Sequence, residues 1–542
     1  MLKNTIFILT ILIFSCRQEK TYKEPFNGPN VSVLTQHNDN YRSGLNDHEI
    51  KLTTSNVNRK QFGKLFSLAV DDQIYAQPLV VSNVMIANGI HNVLYIATVN
   101  NTVYAFDADM GQLYWKNSFT QPGMRPPKNT DMTGACSGNY QDFTGNIGIV
   151  GTPVIDSLSQ TMYFVARSVS NNNFVVYLHA IDIITGGEKG GGPVKITATY
   201  NGGGAANVNN VLTLNTQKQN QRQALTLLNG TVYVTFAGHC DWEPYHGWIL
   251  GYDSKTLEQK IIYNDTPEGT DGGVWESGMG MAADKEGNLY LAVGNGTVGL
   301  NGDPTNLINR GESALKLAPS GNTLQILSYF TPFNFQYLED SDLDYGGMGA
   351  LLIPNSNYFL TGGKDGNLYL LNKDNMGGYS PNANNVQQNI SLGPTAMLHA
   401  QAAYYKGSST EYVYVWSEND QLRAYPFNRN SNMLDVANQK VSSVLGPEGQ
   451  SGAVLSTSSN RDLPGTGIVW ASHPVSGDAN VHTRPGILRA FDAENVTREI
   501  WNNSEDPNDA TGNYAKFCSP TVANGHVYLA TFSKQLIVYG LK

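Results

Sequence analysis

The segment AGHCDWEPYHGW, residues 237 to 248, sets two histidines, a cysteine and two carboxylates within eight positions, His239 through His246. Those residue types allow more than one chemistry. His239, Cys240 and His246 are zinc-type ligands, although no second Cys-His knuckle lies nearby to complete a tetrahedral set. Trp242, Tyr245 and Trp248 are flat rings suited to stacking on a sugar or a quinone, with Asp241 among them as a polar group. A second stretch, EDSDLDYGG at 339 to 347, alternates Asp340, Asp342 and Asp344. In an extended loop all three would project to one side and offer oxygens to calcium. The spacing is not that of an EF-hand: Gly346 falls one place late and Leu351 stands at position twelve. The other reading is of solvated acids capping a connection.

Which of these chemistries is open depends on the elements that hold the residues. The chain starts MLKNTIFILTILIFSCRQEK, with a single lysine, Lys3, ahead of an apolar run from Thr5 to Phe14, and then Ser15-Cys16. The run is too short to span a bilayer and reads as a cleavable export signal. Apolar residues followed by Ser-Cys resemble the bacterial lipobox, in which Cys16 becomes the lipidated first residue; an ordinary signal with an incidental cysteine is the alternative. Residues 1–16 are thus the expected signal and anchor, and 17–61 a tether and N-terminal extension. The expected location is the envelope, as a periplasmic, outer-membrane or cell-surface lipoprotein that meets the membrane through its lipid alone. A net charge of −10 with no basic run argues against nucleic acid as a partner. After Cys16 only Cys136, Cys240 and Cys518 remain, too few for a disulfide framework, though one bridge is allowed in an exported protein.

With 55 glycines, 29 tyrosines and only 15% charged residues, the chain reads as short strands and tight turns. A unit recurs: an apolar run, a Gly or Asn turn, an alternating strand and an Ala-x-Asp turn. It is clearest in NVLYIATVNNTVYAFDADMGQLYW (92 to 115) and returns at 161 to 187, 231 to 256, 358 to 378, 412 to 428, 467 to 501 and 526 to 541, with a degenerate copy at 288 to 321. Each copy is too small to bury its own apolar faces, so the copies must pack around an axis. The expected fold is therefore all-β, an eight-bladed β-propeller filling 62–542 as one domain. FGKLFSLAV (62 to 70) precedes the first copy and the last copy stops after its third strand. The N-terminal strand is thus expected to complete the last blade and leave no sheet edge open.

The turn AFDADMGQLYW resembles the repeat of the pyrroloquinoline quinone (PQQ) propellers, with Ala105, Asp107, Gly111 and Trp115 in register. AIDIITG, with Asp182, fits the first half. AFDAENVTREIW, with Asp492 and Trp501, fits without the glycine and with the tryptophan one place late; Asp253 stands at the equivalent turn of the third copy. The resemblance to the quinoprotein alcohol dehydrogenase-like superfamily covers nearly the whole chain from about residue 62 and speaks for fold. It gives these residues a structural role, the Asp capping its turn and the Trp packing between sheets. The stretches QHNDNYRSGLN, DDQIYAQPLVV and GNYAKFCSPTVANGHVYLATFSKQLIVYGL also look like a group of exported bacterial PQQ-like propellers, a likeness that brings no reaction with it.

In a four-stranded blade, the loop between strands two and three and the connection to the next blade leave on the same face. That face would carry His239 to Gly247, 295 to 312, 472 to 486 and the connections 120–149, 201–221, 330–346 and 503–517, while the opposite turns are short. Long loops on a rigid scaffold are where binding usually sits. HCDWEPYH then belongs to a loop on the rich face. Cys136 lies on the same face, so a Cys136–Cys240 bridge and two separate thiols both remain open. Gln77, Glu276, His399, Gln450 and Lys516 precede innermost strands and are expected at the channel mouth, where Glu276, His399 and Lys516 would hold an anion or run acid–base chemistry; a merely wet, polar channel is the alternative.

The leading expectation is a cell-envelope lipoprotein that binds a ligand or serves as an assembly scaffold through this face, its partner an envelope protein, a glycan or a small molecule. The outer-membrane assembly lipoprotein propeller of the same superfamily needs no quinone. The alternative is a PQQ-dependent dehydrogenase of an alcohol or sugar, a quinoprotein oxidoreductase for which the resemblance implies PQQ with calcium. Against it, the chain lacks the adjacent cysteine pair of the family's alcohol dehydrogenases, and the family's calcium ligands and catalytic Asp do not map onto it. A polysaccharide-active enzyme is a third reading.

Overall fold

The computed structural model describes residues 30–542. The lipobox-like Cys16 and the apolar run before it lie outside the described residues. Eight antiparallel sheets follow one another around an axis. The first blade runs Leu79–Ile86, Gly89–Ala97, Thr102–Asp107 and Leu113–Ser118, from the axis outward. The second to seventh blades begin at inner strands Val154–Asp156, Thr226–Leu228, Ala282–Ala283, Met348–Leu352, Ala403–Lys406 and Val454–Ser458. In the eighth, Thr521–Ala523, His526–Ala530 and Gln535–Leu541 are joined by Phe62–Ala69, which pairs antiparallel with the last strand from Phe62 opposite Leu541 to Ala69 opposite Gln535. The ring is closed by the N-terminal strand.

Period-two alternation places one set of side chains in each inter-blade layer. Between blades two and three, Val165 and Leu178 meet Phe236, Trp248 and Leu250. Between seven and eight, Trp501 packs edge-on against Phe62 at 4.9 Å and Tyr539 at 5.5 Å. The Ala-x-Asp turns work locally: Asp107 Oδ1 accepts the amides of Asp109 and Met110 at 3.0 and 2.8 Å, and Gly111 takes φ +73° to close the turn. Asp182, Asp253 and Asp492 accept turn amides in the same way. Ala105 is buried opposite Trp115, whose indole donates across the blade boundary to Ile183 O at 3.1 Å.

Residues 30–61 are not a free tether. From Val33 onward this segment circles the inner rim and bonds each blade in turn. Val33 exchanges backbone bonds with Val80 of blade one, and Leu34 O accepts Ile155 N of blade two. Asn40 Nδ2 donates to Leu227 O of blade three at 3.0 Å, and Asn40 O accepts Ala283 N of blade four. Tyr41 O, Ser43 O and Gly44 O accept Leu352, Tyr404 and Thr457 amides of blades five to seven. Leu45–Asn46 adds a short parallel strand to blade seven, and Asn46 Nδ2 reaches Val522 O of blade eight. Glu49 then takes the amide of Gly525, in the first turn of blade eight, so this belt lies on the turn side. The extension expected up to residue 61 is thus, from residue 30, part of the propeller, because inner-strand groups left unpaired at the axis need partners.

Arg42 is the centre of the belt. Its buried guanidinium donates to Thr35 Oγ1 at 2.8 Å, Gln36 O at 2.9 Å, Thr226 Oγ1 at 2.6 Å and the carbonyls of Gly280 and Met281 at 3.1 Å. Next to it His37, also buried, has Nδ1 2.9 Å from Arg42 O and Nε2 2.8 Å from Leu455 O, and burial lowers its pKa. No helix among the described residues is long and apolar enough to cross a membrane.

Candidate functional site

The loop His239–Gly247 leaves the second strand of blade three on the loop-rich face, and Cys136 and Cys240 are joined in a disulfide that ties it to the connection between blades one and two. The histidines do not converge on a metal. His239 is fully buried between Tyr140 Oη, 2.7 Å from Nδ1, and Arg167 Nη1, 2.6 Å from Nε2. Burial, and then the Arg167 and Arg222 charges, hold its pKa well below the usual histidine value. His246 is occupied by Thr266 Oγ1 and Ala205 O at 3.0 and 2.9 Å. With Cys240 in the disulfide, the zinc reading has no ligand left.

The expected stacking surface is reduced to one ring. Trp248 begins the third strand of blade three and is 1% exposed within the layer between blades two and three. Tyr245, also 1% exposed, folds under Gly238, and its hydroxyl donates to Asp241 at 2.6 Å. Trp242 remains half-buried, its indole over Gly134 and under Lys218 Nζ. Alternation explains Trp248: Trp248, Leu250 and Tyr252 share one buried face of a strand. Asp241 is exposed at the rim, but its carboxyl turns into the loop, and desolvation together with Asp344 raises its pKa.

The alternating acids do not share a side either, because the loop is not extended. Asp340 ends the helix Phe335–Asp340 and accepts Gln336 Nε2 at 2.9 Å. Asp342 and Asp344 instead meet the ammonium of Lys364, at 2.6 and 2.5 Å. Burial opposes ionisation of Asp344, but the Lys364 charge outweighs it and holds the carboxyl below its usual range. A lysine ammonium takes the place that the calcium reading would give the ion, and Asp342 and Asp344 are ion-paired acids of the connection. Among the described residues no three His, Cys, Asp or Glu side chains converge on a metal position.

The five residues expected at the mouth divide in two. Gln77 and Glu276 lie beneath it. Gln77 accepts His37 N and donates to Thr521 Oγ1, which connects the belt to blade eight. Glu276 is fully buried, with Oε1 accepting Ala292 N at 3.1 Å, and desolvation pushes its pKa up to about 8. His399, Gln450 and Lys516 are near the mouth. His399 Nδ1 is 2.6 Å from Glu418 Oε1, and its Nε2 is 3.3 Å from Gln450 Nε2. Lys516, 4% exposed, donates to Asn480 O, and burial lowers its pKa to about 8.

Sequence reasoning missed Arg222. It lies four residues before the inner strand of blade three, much as Lys516 lies five before that of blade eight, and that placement was the available signal. Its guanidinium lies against the rings of Trp275 and Phe517, 5.0 and 4.9 Å away, while Nε donates to Trp275 O at 3.2 Å. Neither Arg222 nor Lys516 has a carboxylate within ion-pair distance among the described residues. Tyr75, Asp142, Asn220 and Phe517 complete the cleft around them, which encloses about 20 Å³. That is room for a water molecule.

A quinone with calcium does not fit these residues. The aromatic slot at the mouth is filled by Arg222, the cleft is too small for a ring system, and the acids that would hold a cation are committed to Lys364 or to backbone amides. The disulfide spans two loops 104 residues apart in sequence and is not a ring of adjacent cysteines.

No family model and no curated protein matches the sequence. Solved structures do. The quinohemoprotein alcohol dehydrogenase from Comamonas testosteroni aligns with a TM-score of 0.57 at 13% identity, over 94% of this chain and 80% of that one. The quinohemoprotein alcohol dehydrogenase ADHIIG from Pseudomonas putida HK5 gives 0.55 at 13% over the same shares. A europium-containing methanol dehydrogenase gives 0.55 at 11%, over 95% of this chain and 99% of that one. At such identities the likeness shows the fold alone, an eight-bladed β-propeller shared with these dehydrogenases.

Proposed function

We propose that this protein is a binding propeller of the cell envelope, anchored through Cys16, whose loop-rich face docks a protein or glycan partner and whose channel carries out no quinone chemistry. The observation that carries this reading is that the chain's own residues close the channel at both ends. The belt around Arg42 bonds every inner strand on the turn side, and Arg222 fills the aromatic slot at the mouth. What remains on the rich face is a broad surface of long connections stiffened by the Cys136–Cys240 bridge, with Trp242 at its rim. A disulfide also suits an oxidising compartment.

Two measurements test the proposal. Titration of the protein with PQQ and calcium, followed by addition of alcohols and sugars with a dye acceptor, should give neither saturable quinone binding nor dye reduction. Saturable binding with dye reduction would establish the dehydrogenase reading instead. Photo-crosslinking side chains placed at Trp242, on the rich face, and at Leu158, 97% exposed on the turn face, locate the docking surface in the envelope. Crosslinks to a partner are expected from position 242 and not from 158; the reverse pattern overturns the assignment of the face.

A further inference from the structure

The turn face, which the sequence presents as a set of short turns, holds a groove of about 550 Å³. That is within the size range of sites that take a small organic ligand, roughly 300–1,000 Å³, whereas the mouth has room for a water. The groove lies between the first turns of blades four and five and is walled on the inner side by Tyr41 of the belt. Tyr41 therefore makes the belt part of its wall.

Its lining has three properties that narrow the ligand. First, charge is balanced: Lys285, Lys316 and Lys373 face Asp284, Glu286 and Asp374. A phosphate or a polyanion gains little there, because each lysine already sits in the field of a carboxylate. Second, hydrogen-bonding capacity is left over. The Tyr41 hydroxyl, the Asn355 side-chain amide and the Lys373 ammonium have no hydrogen-bond or ion-pair partner among the described residues, although Tyr41 and Lys373 are half-buried. The Asp284 carboxylate, by contrast, is already engaged: it accepts Asn288 Nδ2 and the Tyr290 hydroxyl, both at 2.8 Å. Third, the half-buried Tyr41 ring places an apolar face beside those free donors and acceptors, while Leu352 and Ile353 close the floor behind it within the blade cores.

A hydroxyl-rich ring with apolar C–H faces matches all three properties, since amide and phenol groups pair with hydroxyls while an aromatic ring covers the C–H face. We propose that this groove is a binding site for a neutral oligosaccharide, separate from the loop-rich docking face. Its ligand bonds the Tyr41 hydroxyl, the Asn355 amide and Lys373, and lays a C–H face against the Tyr41 ring.

The test is calorimetric titration of the intact protein with three neutral hexasaccharides, of cellulose, starch and chitin type, and with a trigalacturonate as an acidic control. At least one neutral sugar should bind saturably at sub-millimolar concentration. Tyr41→Phe, which keeps the ring, Asn355→Gly, which suits that residue's φ of +54°, and Lys373→Ala should each weaken that binding three-fold or more with the melting temperature unchanged. Arg222→Ala, at the other face, should leave it unaltered. The assignment fails if none of the three neutral sugars binds, if trigalacturonate binds more tightly than they do, or if all three groove variants bind as the parent does. Loss of sugar binding in Arg222→Ala alone would move the sugar to the mouth and leave the docking-face proposal standing without this one.

Discussion

At the scale of single residues, the groups that matter most are polar and buried, and each has a measurable consequence. Glu276 is one. The unfolded chain releases its proton near pH 4.5, the folded chain near 8, because burial disfavours the carboxylate. Between those values the folded state holds a proton that the unfolded state has lost, so stability falls as pH rises, by up to about 1.4 kcal/mol per pH unit. Glu276→Gln should flatten the decline between pH 5 and 8; denaturant unfolding at several pH values checks this, and a parent whose stability is level over that range refutes it. Arg42 is the opposite case, a buried cation whose donors are all used. Arg42→Ala would strip the carbonyls of Gly280 and Met281 of that donor, and an unsatisfied buried group costs about 1–3 kcal/mol. A loss of at least about 3 kcal/mol, seen as a lower melting temperature, is expected. Neither role was legible in the sequence. Arg42 sits in QHNDNYRSGLN, a polar stretch with no periodicity, and only the unmet hydrogen bonds of eight inner strands explain why it is drawn inside. Trp248, by contrast, was legible: the alternation of WILGY assigns it to a strand interior, and a reading by residue type alone placed it on the surface.

At the scale of elements, the blades followed from their repeats because each is a local object, a turn capped by an Asp and strands of period two. The belt and the mouth did not, because both depend on contacts between segments hundreds of residues apart: Asn46 with Val522, and Arg222 with Phe517. The disulfide loop shows how such a long-range tie shapes a face. Cys136, Cys240 and Asp241 all take positive φ, a costly conformation for side-chain-bearing residues, and the Tyr140–His239–Arg167 chain of hydrogen bonds lies directly beneath. The bridge adds a covalent tie to loops that are otherwise held by such hydrogen bonds and by buried side chains such as Met132 and Phe143. Replacing Cys136 and Cys240 together by serine removes a cross-link closing 104 residues, for which chain entropy sets a contribution of about 4 to 5 kcal/mol. The expected result is a lower melting temperature with an unchanged far-ultraviolet spectrum and new proteolytic cleavage between 120 and 149. Equal protease resistance in the serine variant would mean that packing of Trp242 on Gly134 holds the loop without it.

At the scale of the whole molecule, the ring is closed by the segment that also plugs it. Residues 33–46 bond all eight inner strands on the turn side, and sixteen residues later Phe62–Ala69 becomes the outer strand of blade eight. A propeller needs no separate plug to be stable if its layers are well packed, but an open ring leaves the edge of Gln535–Leu541 unpaired and the Trp501–Tyr539 layer without Phe62. The two tasks are therefore coupled: the belt holds the N-terminal strand in register, and the strand prevents the belt from sliding out of the channel. A chain beginning at residue 71 loses both. It should be poorly soluble and melt well below the parent, while a chain beginning at 59 keeps the closing strand and loses only the belt, along with the Tyr41 wall of the turn-face groove. Adding a synthetic peptide of residues 30–70 to the chain beginning at 71 should restore a single cooperative transition, read by calorimetry. If the chain beginning at 71 melts like the parent without the peptide, the layers alone hold the ring and closure contributes nothing measurable. If the chain beginning at 59 melts no higher than the one beginning at 71, the belt and not the strand is the closing element.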